Sequence, residues 1–179
     1  MRKSVIIQCI SFFVFTFGVV QAEPGMVDST IGDLRIELHV LSAEPFFRMA
    51  EVVAKKVTDG MLIMGGAKPI APDAAIHPNH HLVIHGFNAK TGKAITDAKV
   101  KMSFQLLDSA GKPSGSLTVV PIVVMQAIGK GVQSTHYGNN VVMPTGTYTI
   151  SVVVNGRKVN FKLDVSDVSD SSMNKMNMN

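Results

Sequence analysis

The sequence predicts an all-β chain, an immunoglobulin-like antiparallel β-sandwich with a short helical insertion. Three observations carry that expectation. Apolar side chains recur at every second position over most of the chain, Gly, Pro, Asn and Asp turns break them roughly every 8 to 12 residues, and about seven or eight short strands result. Such sandwiches host many unrelated functions, so function must be read from the side chains they carry.

The chain has 179 residues. It opens with Arg2 and Lys3, an apolar run over 5–20 and the small-residue close Val20-Gln21-Ala22. That pattern predicts a secretory signal over 1–22, cut before Glu23. The run is short for a transmembrane helix, which needs about 20 apolar residues. The expected location is therefore periplasmic. Cleavage would leave 179 − 22 = 157 residues, enough for one domain over 23–165 that hides roughly two-thirds of its unfolded surface. The tail over 166–179, built of Ser, Asp, Asn and Met with no apolar period, reads as disordered.

Within the domain, residues 30–41 alternate Leu34, Ile36, Leu38 and Val40 with Arg35, Glu37 and His39, a half-buried strand. His39 stands alone on the polar side and is assigned to solvent. Phe46, Met49, Val53 and Val57 then fall near a 3.6 period, which predicts a helix over 42–58 entered by Pro45. A short strand over 61–64 and a loop over 68–78 follow. From His80 the reading is strand and turn: HHLVIHGFN, the turn AKTGKAITDA, and KVKMSFQLLD with Val100, Met102, Phe104 and Leu106 on one face. One strand over 116–124 leads to a loop over 127–135. Residues 139–143 pass through Pro144-Thr145-Gly146 into a strand over 147–154, and Asn155-Gly156 signals a tight hairpin into 157–165.

Composition excludes several classes of function. Without Arg2 and Lys3 there remain 15 basic and 13 acidic residues, net +2, with no basic cluster, so no nucleic-acid partner is expected. Cys9 is the only cysteine and falls inside the leader. This leaves no thiolate chemistry, no disulfide framework and no lipid anchor at the cleavage point. No Ser or Thr lies in a nucleophile elbow, and Asp33, Glu37, Glu44 and Glu51 form no pair with catalytic or calcium-loop spacing. An enzyme is not expected.

The inventory is unusual in its soft and borderline metal ligands: ten methionines and six histidines beyond the leader, with no tryptophan. Four histidines, His77, His80, His81 and His85, lie within nine residues, and a fifth, His136, opens the segment His136-Tyr137-Gly138-Asn139-Asn140. His81 and His85 share a strand face with Cα atoms roughly 13 Å apart, and His80 points the other way. One ion needs metal–nitrogen distances near 2 Å, so a site needs one of these residues together with ligands from another strand or another subunit. Met125 and His136 bracket a loop and are the candidates. A shell of imidazole and thioether suits copper best. Against this, a buried methionine can merely fill a gap in a core, and a histidine-rich strand entry can simply be wet.

The segments HHLVIHG and THYGNNVVMPTGTYTISVVV resemble the family of bacterial periplasmic iron/copper-binding proteins that accompany high-affinity iron permeases. Its pattern is His-Leu-x-x-x-Ile-His, a methionine loop, and His-Tyr-Gly-x-Asn-Ile/Val before a strand that begins near a Tyr. His136-Tyr137-Gly138-Asn139-Asn140-Val141 and Tyr148 match it, and the likeness extends over about 31–165. The resemblance implies an immunoglobulin-like sandwich, a homodimer, and a copper site near the dimer interface that serves iron uptake through an inner-membrane permease or another envelope metal protein. It puts His136 and Met125 on ligand positions, and either of two registers puts His81 on one. His85 follows as a neighbouring or second-site ligand. The family's further histidine would fall near Val153, where none is present, so either His77, His80 or His85 completes the shell, or metal is bound more weakly, or the metal role is dropped. The metal set is thus His81, Met125, His136 and His85, for copper and secondarily iron. A non-metal immunoglobulin-like accessory subunit of an envelope complex is the alternative.

Overall fold

Alternation in the sequence becomes two packed sheets. The computed structural model describes residues 25–166, so the leader expected over 1–22 and all of the expected tail except Ser166 lie outside the described residues. β1 (Met26–Ile31) turns back on β2 (Leu34–Ser42), whose Leu34, Ile36, Leu38 and Val40 are buried. Next come β3 (Phe46–Phe47), α1 (Met49–Lys55), β4 (Met61–Gly66) and β5 (His80–Asn88). β6 (Val100–Leu107), β7 (Pro113–Val120), β8 (Val123–Ala127), β9 (His136–Val141), β10 (Gly146–Val154) and β11 (Arg157–Val165) complete the order. A seven-stranded sheet, β1-β2-β5-β9-β8-β4-β3, faces a four-stranded sheet, β11-β10-β6-β7. Every pairing is antiparallel except β3 with β4. This is an all-β sandwich with one short helix.

The main core lies between the sheets. Ile36, Leu38, Leu82, Ile84 and Tyr137 from the larger sheet meet Met102, Phe104, Ile150, Val152 and Phe161 from the smaller. Burying each such side chain contributes about 1.5–3 kcal/mol. Asn155-Gly156 forms the expected hairpin turn, with φ of 50° and 84°, the double positive φ that a two-residue connection favours.

Three expectations need correction. The helix expected over 42–58 shrinks to α1, and no residue of it is buried. The Pro45 carbonyl instead accepts from the Met61 amide at 2.9 Å, which holds Phe46 and Phe47 extended beside β4. Half-burying two phenylalanines against β4 outweighs helical propensity there. The strand expected over 116–124 is two strands, β7 and β8, in different sheets. Pro121 has no amide to donate and breaks the ladder between them. Residues 26–31 form β1, so the strand expected over 30–41 starts only at Leu34.

The larger sheet is rolled. β3 is the sixth neighbour along from β1, yet the Phe46 ring lies 5.7 Å from the His81 ring on β5. In a flat sheet the four inter-strand steps between them would span about 19 Å. The β3 edge therefore curls over the outer face of β5, β9 and β8, where a second cluster of Val83, Val123 and Met125 packs under Phe46, Met61 and Ile63.

Candidate metal centre

Strand alternation decides which histidines meet. Leu82 and Ile84 of β5 point into the main core, so His81, Val83 and His85 point to the opposite, rolled-over face. On β9, Tyr137 points into the core and His136 to the same face as Met125, its register partner on β8. Directly paired side chains on one face have Cβ atoms about 4.5–5.5 Å apart, so Met125 and His136 leave their strands side by side. Met125 is fully buried.

Four imidazoles form a row on this face. Ring centres are separated by 5.1 Å from His39 to His85, 5.1 Å from His85 to His136 and 5.7 Å from His136 to His81. Phe46 closes the His81 end and Phe87 stacks on His85 at 6.0 Å. His81 pairs with Asn140 in register, four residues along β9 from His136, so the two rings lean toward each other across Val83 and Gly138. No side chain fits at Gly138: a Cβ there would come within 2.0 Å of the Leu82 carbonyl oxygen and 2.8 Å of Val83.

Hydrogen bonds fix the proton positions on the two innermost rings. The Asn140 amide nitrogen donates to the carbonyls of Glu44 and Ile70, each at 2.8 Å, and its oxygen accepts from the Glu44 amide at 3.1 Å. With the amide orientation set, the 2.9 Å contact of Asn140 Oδ1 with His81 Nδ1 requires the proton on Nδ1. His136 Nδ1 lies 2.7 Å from the Ser134 carbonyl oxygen, which can only accept. Both Nε2 atoms therefore carry bare lone pairs, and both are buried with no hydrogen-bond partner among the described residues. An unsatisfied buried acceptor costs about 1–3 kcal/mol. Nδ1–H bound to an oxygen with Nε2 left free is the arrangement that orients imidazole toward a metal.

Burial also keeps the rings neutral. Desolvation pulls His81 down to about 4, against the opposing hydrogen bond to Asn140. Desolvation, helped by the nearby His136, His39 and His81, pulls His85 to about 3. His136 is lowered by burial as well, its bond to Ser134 opposing.

Of the four sequence candidates, His136 is the common neighbour: its ring lies 5.7 Å from His81 and 5.1 Å from His85, and Met125 is its register partner on β8. Of the other histidines in the cluster, His77 is exposed in the loop and His80 projects from the other face of β5. Val153 lies on β10 in the other sheet. Among the described residues no three His, Cys, Asp or Glu side chains are placed to share one ion, so a third donor would have to be sulfur or come from a second subunit.

Two residues escaped the sequence reading. His39, assigned there to solvent, is half-buried against His85. The signal was its odd position in β2, opposite the buried Leu38 and Val40. Asn140, which orients His81, gave no signal beyond its place in the His-Tyr-Gly segment. No family model, curated protein or solved structure matches the chain.

Proposed function

We propose that the protein binds copper through His81, His136 and Met125, and that it works in the periplasm in the service of metal uptake. The observation that carries this reading is the pair of buried Nε2 lone pairs, each turned free by an Nδ1–H anchored on an oxygen, with the buried Met125 as register partner of His136. Two imidazoles on one ion, at roughly 2 Å metal–nitrogen distance and tetrahedral to wider angles, place ring centres about 5–6 Å apart. The His81–His136 separation of 5.7 Å falls in that range. Nitrogen with thioether sulfur favours Cu(I) and is poor for hard ferric ion, so copper is the resident ion and iron at most a second cargo. A permease partner and a homodimer that supplies a further ligand belong to this reading through the resemblance of the His-Tyr-Gly segment alone.

The test is titration of the purified protein with Cu(I) against a chromophoric chelator, for the wild type and for His81→Ala and His136→Ala. Loss of at least 100-fold in affinity in each variant is expected. Unchanged affinity in both would remove the reading.

A second reading, an accessory module that docks an envelope partner without metal, is favoured by α1. None of its residues is buried, and Met49 and Val53 are 59% and 70% exposed. A partner captured by the wild type and retained after chelation, but lost in Met49→Ser/Val53→Ser, would support it.

A further inference from the structure

We propose that His39 and His85 form a second, outer cation position for a borderline divalent ion of the Zn(II) or Cu(II) class, at the solvent end of the imidazole row. β2 and β5 pair antiparallel with His39 opposite Val83, which makes His39 and His85 diagonal neighbours on one face. Their ring centres are 5.1 Å apart at 73°. Two imidazoles bound to one tetrahedral ion, with nitrogens roughly 2 Å from the metal, have centres about 5 Å apart, which is the spacing of this pair.

The surroundings fit a divalent ion better than a monovalent soft one. Glu37 is the register partner of His85, and its Oε2 lies 3.9 Å from His39 Nε2 while Oε1 holds Arg35 at 2.9 Å. Two imidazoles with water and no sulfur suit borderline divalent ions, and the Glu37 carboxylate, not placed to share the ion, adds negative charge beside it. The His39 side chain is 18% exposed, so water can reach the position and complete the shell. His85 also lies 5.1 Å from His136, which gives a cation held outside a neighbouring imidazole to pass to. The outer position goes beyond the copper reading of His81, His136 and Met125 and does not depend on it.

Zn(II) serves as the outer probe and Cu(I) as the inner one, on the purified protein. Wild type is expected to bind one Zn(II) that His39→Ala weakens at least 10-fold and Glu37→Gln weakens less, with Cu(I) affinity unchanged in both. His81→Ala should do the opposite, keeping Zn(II) and losing Cu(I). The outer position is overturned if His39→Ala binds Zn(II) within twofold of wild type, if Zn(II) is lost on His81→Ala instead, or if wild type takes up no Zn(II). Cu(I) affinity unaffected by His81→Ala would sink the inner reading alone. Circular dichroism of His39→Ala, a partly exposed position, verifies that the fold is kept.

Discussion

Acid should weaken this fold well before its carboxylates are titrated, because two of its imidazoles are held neutral. In an unfolded chain histidine titrates near 6.5, whereas in the folded protein burial places His81 near 4 and His85 near 3. Between these values the unfolded chain binds protons that the folded one does not. The stabilisation is therefore complete above about pH 6.5 and is lost as the pH falls toward 4 for His81 and 3 for His85. At about pH 5 each group has lost roughly 1.5 units, or about 2 kcal/mol at 1.36 kcal/mol per unit. The two together remove about 4 kcal/mol, a large share of the roughly 5–15 kcal/mol that holds a domain folded. Urea unfolding at about pH 7.5 and about pH 5 measures the difference, and His85→Gln should recover about half of it. Stabilities equal within about 1 kcal/mol at the two pH values would refute the reasoning. The same burial changes what is expected of metal binding. Free imidazole would lose its metal to protons below about 6.5, but in the folded protein that competition at His81 begins only near 4.

Replacing Met125, which is fully buried, by leucine conserves volume and should cost less than about 1.5 kcal/mol of stability, while Cu(I) affinity falls at least 10-fold in a chelator competition and Zn(II) affinity does not change. Asn140→Leu strands two carbonyls, an amide and the His81 Nδ1–H; at about 1–3 kcal/mol each, denaturant melts should show a loss of more than about 3 kcal/mol. Gly138→Ala must push β5 and β9 apart, since its Cβ meets the Leu82 carbonyl at 2.0 Å, and should abolish both a cooperative melt and Cu(I) binding. Gly156→Ala, with open space around it but φ of 84°, should cost only about 1–2 kcal/mol in the same melt.

Strands β6, β10 and β11 were legible because each buries one face and advertises it at about every second residue. Asn155-Gly156 was legible because few other pairs adopt two positive φ values in succession. The break at Pro121 was hidden inside one continuous apolar run, and only the three-dimensional path shows that the chain changes sheets there. Phe46 read as helical because its spacing to Met49 and Val53 fits a turn, whereas its partners, Met61 and the Val83–Met125 cluster, are distant in sequence. The candidate site followed the same rule. His81, Met125 and His136 stood out by residue type and spacing, but His39 joins them only through the β2–β5 register. Asn140 acts through the backbones of Glu44 and Ile70, contacts that no periodicity encodes.

The curl of the large sheet makes it a clasp whose jaw and catch are cut from one ribbon. His81, His136 and Met125 come from three adjacent strands, β5, β9 and β8, and the jaw that carries Phe46 closes over His81 and the Met125 cluster. A cation fastened there would rivet those strands together and gain RT ln(1 + [L]/Kd) of resistance to unfolding. Heat resistance would then track the metal supply of the compartment, and the empty and loaded proteins would differ in lifetime more than in shape.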